Sequence, residues 1–409
     1  WGGLILLGRG VIANPTPETR TEGIPEGETR DLFGGTDDSD NSGILRYISI
    51  RHGGAELAPG DEINGLTLGA VGSKTIIAHV EVLSKSDDGI EFFGGTVNVK
   101  FATVAFCGDD AFDWDLGYRG KGQFWFALVG EDTGDNTGEL DGAKPDDGEP
   151  HAAPTLYNIT FLGAGCDGGA QNNTGLLFRD GSGGFVYNSI LAYNKFGVEV
   201  EDIPAGLDSR QRMENGELVL GHNLWWGFCN GNVLQTGDGG FLRPSEDAED
   251  PNAQFLVDHL AANDNVITDP LFRSISRIND GNLDPRPQFG GPAFEGTTDL
   301  PDGDDFFQVA NFKGAFGATL WLAGWTALDE YGHLAEVTVG GGCAEIETIT
   351  DDDLEGGETY NWTNDQCYLL DGFVYLEEDG ILNIEPGTVI LARETPTNND
   401  NASALIITR

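Results

Sequence analysis

The chain repeats itself at a period of about 22 residues, and a period in that range decides the architecture before any other property is weighed. Residues 82–93 read V-L-S-K-S-D-D-G-I-E-F-F and residues 104–115 read V-A-F-C-G-D-D-A-F-D-W-D, so Asp88 and Asp110 are equivalent points 22 residues apart. An earlier turn carries N-G-L-T-L-G at 64–69, and later turns carry T-G-L-L-F-R at 174–179 and F-G-V-E-V-E at 196–201. Strand-like runs accompany them: L-R-Y-I-S-I at 45–50, A-H-V-E-V at 78–82, L-Y-N-I-T-F at 156–161, V-Y-N-S-I-L at 186–191 and H-N-L-W-W at 222–226. A unit this short holds two or three strands and cannot bury its own apolar positions, whereas stacked turns bury a continuous column. The expected fold is therefore all-β, a right-handed parallel β-helix over residues 1–230 with 22–24 residues per turn. Its hand follows the general chirality of parallel crossovers. A Greek-key sandwich also uses short strands and Gly turns, but it does not predict a constant phase.

Composition removes several function classes. The 409 residues include 22 Lys+Arg against 68 Asp+Glu, a net charge of −46, which repels nucleic acid and anionic lipid alike. No apolar run reaches 18 residues, so no membrane-inserted helix is expected. Hydrophobic residues still make up 39%, far above a disordered polyanion, and Gly at 61 residues suits a turn-rich solenoid. The chain opens inside a strand, W-G-G-L-I-L-L-G, which suggests excision from something longer. The five cysteines show no C-x-x-C spacing that would hold zinc. Cys343 and Cys367 can pair in an oxidising compartment, while Cys107, Cys166 and Cys229 sit in apolar surroundings and read as buried thiols.

Several stretches interrupt the repeat. Residues 131–155, 243–253 and 295–305 read as acidic loops, and A-Q-F-L-V-D-H-L-A-A-N at 253–263 has the spacing of one short helix against the solenoid flank. The aromatic segment 315–332 is expected to cap the end of the column. After it, C-Y-L-L-D-G-F-V-Y-L-E-E-D-G-I-L-N-I-E-P-G-T-V-I-L-A-R reads as fresh β-helix turns. The expected organisation is a body over 1–339, a linker over 340–368 holding the Cys343–Cys367 pair, and a further β-helix unit over 369–409.

The stretches L-R-Y-I-S-I-R-H-G-G-A-E (45–56), D-E-I-N-G-L-T-L (61–68), D-D-G-I-E-F-F-G-G-T-V-N-V-K (87–100), C-G-D-D-A-F-D-W-D-L-G-Y-R-G-K-G-Q-F-W-F (107–126), N-D-G-N-L-D-P-R-P (279–287) and W-L-A-G-W-T-A-L-D (321–329) resemble secreted right-handed β-helix proteins of the Bacteroidetes group, as does the opening W-G-G-L-I-L-L-G. Proteins of that group are often exported by the type IX system, and the resemblance implies secretion to the cell surface or medium without supplying a catalytic residue. It also exposes a departure. In the proteins this chain resembles, the segment matching 369–409 precedes the one matching W-G-G-L-I, so the tail here has the sequence of opening turns. Tandem units, or copies of the chain joined head to tail as a filament, follow as expected partners.

Two constellations carry chemistry. With Asn64, Asp88 and Asp110 in phase, Thr67, Glu91, Asp113, Leu177 and Glu199 fall in one outward column. Glu91 and Asp113 then approach the separation of a retaining glycosidase pair. The same acids also read as a plain carboxylate ladder neutralised by Arg119, Lys121 or a bound cation. Asp87, Asp88, Asp109, Asp110, Asp113 and Asp115 surround consecutive corners and suit Ca²⁺, or else shape the corners through Asx hydrogen bonds. The six histidines show no metal spacing, and no nucleophile elbow or phosphate loop occurs. Trp114, Trp125, Trp225 and Trp226 read as core filler before they read as a sugar platform. The expected function is an extracellular structural or adhesive protein, with cell-surface glycans as ligands and calcium as cofactor. A polysaccharide lyase or glycoside hydrolase using Glu91 and Asp113 is the alternative.

Overall fold

The computed structural model describes residues 3–22, 24, 30–53, 63–204, 206–246, 248–335, 346–363, 366–376, 379–384, 388–393, 395–398 and 403–407. Two compact units emerge: Trp1–Phe316 with Leu322–Leu334, and Gly317–Trp321 with Ala335–Arg409.

In the first unit, the strands Leu4–Leu7, Leu66–Gly69, Ile90–Phe93, Phe112–Asp115, Gly138–Asp141, Thr174–Arg179 and Phe196–Val200 pair in that order, all parallel. A second face is built from the long strands Ile44–Arg51, Ile76–Leu83, Asn98–Ala105 and Lys121–Leu128, also parallel. In later turns each long strand divides into two short ones, as in Gly184–Tyr187 and Ile190–Ala192. One residue per turn makes this bend by adopting a left-handed conformation: Tyr47 (φ 55), His79 (φ 57), Phe101 (φ 58), Phe124 (φ 58), Asn158 (φ 56), Asn188 (φ 50) and His222 (φ 55). The result is the expected parallel β-helix. Alternation along the short strands sends Leu66, Leu68, Ile90, Phe92, Phe112, Trp114, Leu176 and Phe178 inward, where they meet Val80, Val104, Trp125 and Phe161 from the bent face. Trp125 lies over Phe112 at 4.8 Å and Phe92 at 5.5 Å. Trp114, Trp125 and Trp225 are fully buried, so these indoles fill the column rather than meet a sugar.

Three expectations need correction. The stretch 131–155 is not simply a loop, because Gly138–Asp141 is a strand of the seven-stranded sheet. The helix near 253–263 forms as Gln254–Ala262, yet it covers the last strand of the bent face instead of the flank. Leu256 and Leu260 are buried in the main core, His259 Nε2 accepts the Leu220 N–H at 3.0 Å, and Asn265 Nδ2 donates to the Leu220 carbonyl at 2.8 Å. An edge strand at the end of a sheet leaves backbone groups unpaired, and these side chains satisfy them. The aromatic segment, conversely, does not close that end. Residues 304–316 pass over the bent face from the turn of Lys121 to that of Asn188, and residues 322–334 lie against the early turns, because outward polar groups there need partners. Asn158 Nδ2 donates to the Phe312 carbonyl at 2.7 Å, Gln123 Nε2 to the Gln308 carbonyl at 2.8 Å, and buried Glu81 accepts from the N–H groups of Ala327 at 2.7 Å and Leu328 at 3.1 Å.

The cysteine expectation is also revised. Cys166 and Cys229 form a disulfide across exposed loops whose Cα atoms converge to 5.2 Å, where buried thiols were expected. Cys107 is the buried thiol. Cys367 is disulfide-bonded, and Cys343 lies outside the described residues.

The second unit repeats the architecture on a small scale. Ile346–Ile349, Cys367–Leu370 and Val389–Ala392 pair in parallel, as do Thr359–Trp362 with Ile381–Ile384 and Phe373–Leu376 with Ala404–Ile407. Asn383 stacks on Asn361, 22 residues earlier, with a side-chain hydrogen bond of 2.9 Å. Trp362, Tyr368, Leu370, Val374 and Leu376 form its own core. Two of its strands fall inside the stretch 340–368 that the sequence suggested as linker, so the new solenoid starts earlier than residue 369. Residues 340–345 lie outside the described residues.

Candidate functional site

One corner of the first unit builds the site. Asp88 Oδ1 accepts the Asp110 N–H at 2.9 Å, Asp110 Oδ1 accepts the Asn136 N–H at 2.6 Å, and Asn136 Oδ1 accepts the Thr174 N–H at 3.0 Å. Each side chain thereby holds the backbone of the next turn. This ladder uses one oxygen of each carboxylate, and it makes the corner role of Asp88 and Asp110 a physical fact.

Three residues beyond the corner, the parallel register stacks Thr67, Glu91, Asp113, Glu139, Leu177 and Glu199. The expected column is therefore present with one addition, Glu139. Strands about 4.8 Å apart bring Glu91, Asp113 and Glu139 into direct succession. Four overlapping groups of carboxylates have oxygens within 4.8 Å of one another: Asp87, Asp88 and Asp109; Asp88, Glu91 and Asp113; Asp109, Asp110 and Asp135; Asp110, Asp113 and Glu139. Asp113 belongs to two of them.

The partners of these acids differ. Asn64 Nδ2 donates to Glu91 and, at 2.9 Å, to Glu22 Oε1. Asn136 Nδ2 donates to Glu139 Oε2 at 3.2 Å, and Arg179 pairs with Glu139 and with Asp141 at 3.0 Å. Arg243 lies 3.0 Å from Glu199. Asp113 Oδ1 is shut off from solvent and has no hydrogen-bond partner among the described residues. Asp115, expected among the cation ligands, is instead neutralised by Lys144 at 2.7 Å and falls in none of the four groups. Arg119, a candidate neutraliser, is committed to Asp38 at 2.9 Å, and Lys121 is committed to Asp304.

Burial comes first among the causes that hold Asp88, Glu91, Asp110 and Asp113 well above the ordinary carboxylate range, and repulsion from neighbouring acids adds to it. Glu139 is raised by burial against the opposing pull of Arg179. Two charges 4.8 Å apart repel by about 3 kcal/mol at an effective dielectric near 20. Such a ridge must bind protons or a cation. Calcium–oxygen distances of about 2.3–2.6 Å are compatible with ligand oxygens no more than 4.8 Å apart. Catalysis asks for more. Glu91 and Asp113 are in register, as a retaining pair requires, but Glu91 is only 6% exposed and is held by Asn64 beneath Glu22.

Sequence reasoning missed Glu139, Asp135 and Glu22. The signal for Glu139 was N-T-G-E-L-D at 136–141, which matches N-G-L-T-L-G at 64–69 in the same frame, with Asn at the corner and Glu139 in the place of Thr67.

Stacked parallel sheets of short strands, wound turn upon turn, place this protein among the parallel β-helices. Within that class, the model of a pectate-lyase-like β-helix domain matches residues 1–222, and the chain belongs to that family. No curated protein and no solved structure matches it.

Proposed function

We propose that the protein is a secreted structural or adhesive β-helix of the cell surface whose carboxylate ridge holds divalent cations, calcium foremost. The observation that carries the reading is Asp113, which lies in two oxygen clusters and has a buried Oδ1 without a hydrogen-bond partner among the described residues. A cation between Asp88, Glu91 and Asp113, or between Asp110, Asp113 and Glu139, supplies the missing contact and offsets the repulsion along the stack. Extracellular life accords with the fold, with the exposed Cys166–Cys229 disulfide and with the type IX resemblance. The second unit, itself a short parallel solenoid, supports head-to-tail stacking of units or copies. The test is calorimetric titration of chelator-treated protein with Ca²⁺. Heat of binding in the wild type and its loss in Asp113→Asn are expected, and a titration without heat or change in melting removes the reading.

The family match favours a second reading, a polysaccharide lyase or hydrolase acting through Glu91 and Asp113. Turnover on a glycan panel that vanishes in a folded Glu91→Gln, Asp113→Asn double variant would establish it.

A further inference from the structure

A second site lies on the bent face, away from the acids. The register aligns Arg46 with Ala78 and Ala78 with Lys100, so the Cα atoms that carry the two cations stand about 10 Å apart with a methyl-bearing residue between them. The notch opens into a cavity of about 410 Å³. Beside it run the corner residues: Tyr47 stacks on His79 at 4.4 Å, and His79 on Phe101 at 4.5 Å. Lys100 is held over the Phe306 ring at 4.6 Å and donates to the Phe306 carbonyl, which fixes its position. Arg46 is exposed and makes no ion pair among the described residues.

The backbone makes this arrangement costly. Later turns put Asn158 and Asn188 at the left-handed corner, where Asn is tolerated. The early turns place Tyr47, His79, Phe101 and Phe124 there, at about 1 kcal/mol or more each. Ring stacking offsets part of that, yet Tyr47 at the outer end of the stack is 61% exposed. An exposed ring with two flanking cations is chemistry suited to a sugar bearing an anionic group.

We infer that this notch is a binding subsite for a sulfated sugar: the sulfate sits over Ala78 between Arg46 and Lys100, and the sugar ring lies against Tyr47. A tetrahedral sulfate ester presents three oxygens in diverging directions and reaches both cations, whereas a carboxylate presents two oxygens on one side. The site gives the adhesive reading a ligand without resting on the acid ridge.

The test titrates the whole chain with a singly sulfated galactobiose, unsulfated galactobiose and digalacturonate. The sulfated sugar is expected to bind at least about tenfold tighter than either of the others, and Arg46→Ala to lose about tenfold of that. Ala78→Leu fills the notch without changing charge and is expected to abolish binding, with near-ultraviolet dichroism reporting that both variants fold. The affinity is expected to be the same in chelator and in Ca²⁺, which separates this site from the cation ridge. Equal affinity for the three sugars, no binding of any, or wild-type affinity in both folded notch variants overturns the inference.

Discussion

Two side-chain ladders in the same solenoid, one of asparagines and one of acids, show what stacking alone can and cannot satisfy. On the bent face, Asn223 Oδ1 accepts the Ser189 N–H at 2.9 Å, its Nδ2 donates to the Val186 carbonyl at 2.9 Å, and its own N–H reaches Asn265. An amide both donates and accepts, so a column of amides closes on itself. At the acid corner, Asp88 and Asp110 accept in the same way with one oxygen each, but an ionised carboxylate has nothing to donate. Its second oxygen and its charge are left over. The asparagine ladder is complete as folded, and the acid ladder awaits a proton or a cation.

The largest way to sharpen that contrast is pH. Burial, the leading cause, lifts Glu199 from 4.5 to about 7 against the pull of Arg243, and Glu201 likewise to about 7. A group raised in the folded state holds its proton more tightly there than in the unfolded chain. Its contribution is therefore complete below about pH 4.5 and lost as pH rises through 7. Urea denaturation of chelator-treated protein should show stability falling by about 3 kcal/mol over that window from Glu199 alone, with Glu199→Gln flattening the curve. Next is the cation. Free Ca²⁺ at about one hundred times its dissociation constant should raise stability at pH 7 by about 2.7 kcal/mol, visible as a higher melting temperature than in chelator. Breaking the other ladder comes third: Asn223→Ala strands buried backbone groups and should cost about 2 kcal/mol, with no dependence on Ca²⁺. The smallest effect is expected from Asp113→Asn, which relieves repulsion and should stabilise the cation-free protein by about 1 kcal/mol while removing its response to Ca²⁺. Should Asn223→Ala remove the response to Ca²⁺ as Asp113→Asn does, the two ladders would not be different in kind.

The period made much of this legible, because Asp88 and Asp110 are separated by the common turn length of 22 residues. Asn136 follows Asp110 at 26 and Thr174 follows Asn136 at 38, and those insertions concealed Glu139 inside what reads as an acidic loop. The aromatic corner was hidden by its own geometry. A left-handed residue resets the alternation, so Ile77 and Val80 both face inward, three apart, where a flat strand would send them to opposite sides. The disulfide joins residues 63 apart, a pairing that no local pattern encodes.

Repeat proteins ordinarily contact only adjacent repeats, so they can lose or gain turns one at a time from an end. The returning segment changes that for the first unit. Glu81 is joined to Ala327 across 246 residues, Gln123 to Gln308 across 185, Asn158 to Phe312 across 154, and the Lys313 ammonium to the His222 carbonyl across 91. The strap visits the turns out of their chain order: residues 308, 312 and 313 meet progressively later turns, and Ala327 meets the early turn of Glu81. The strap cannot dock until the turns beneath it exist, which places it late in folding and makes its closure slow. Once docked, it lets no single turn beneath it peel away without also releasing part of the strap, so the first unit, though built of repeats, behaves as one cooperative body.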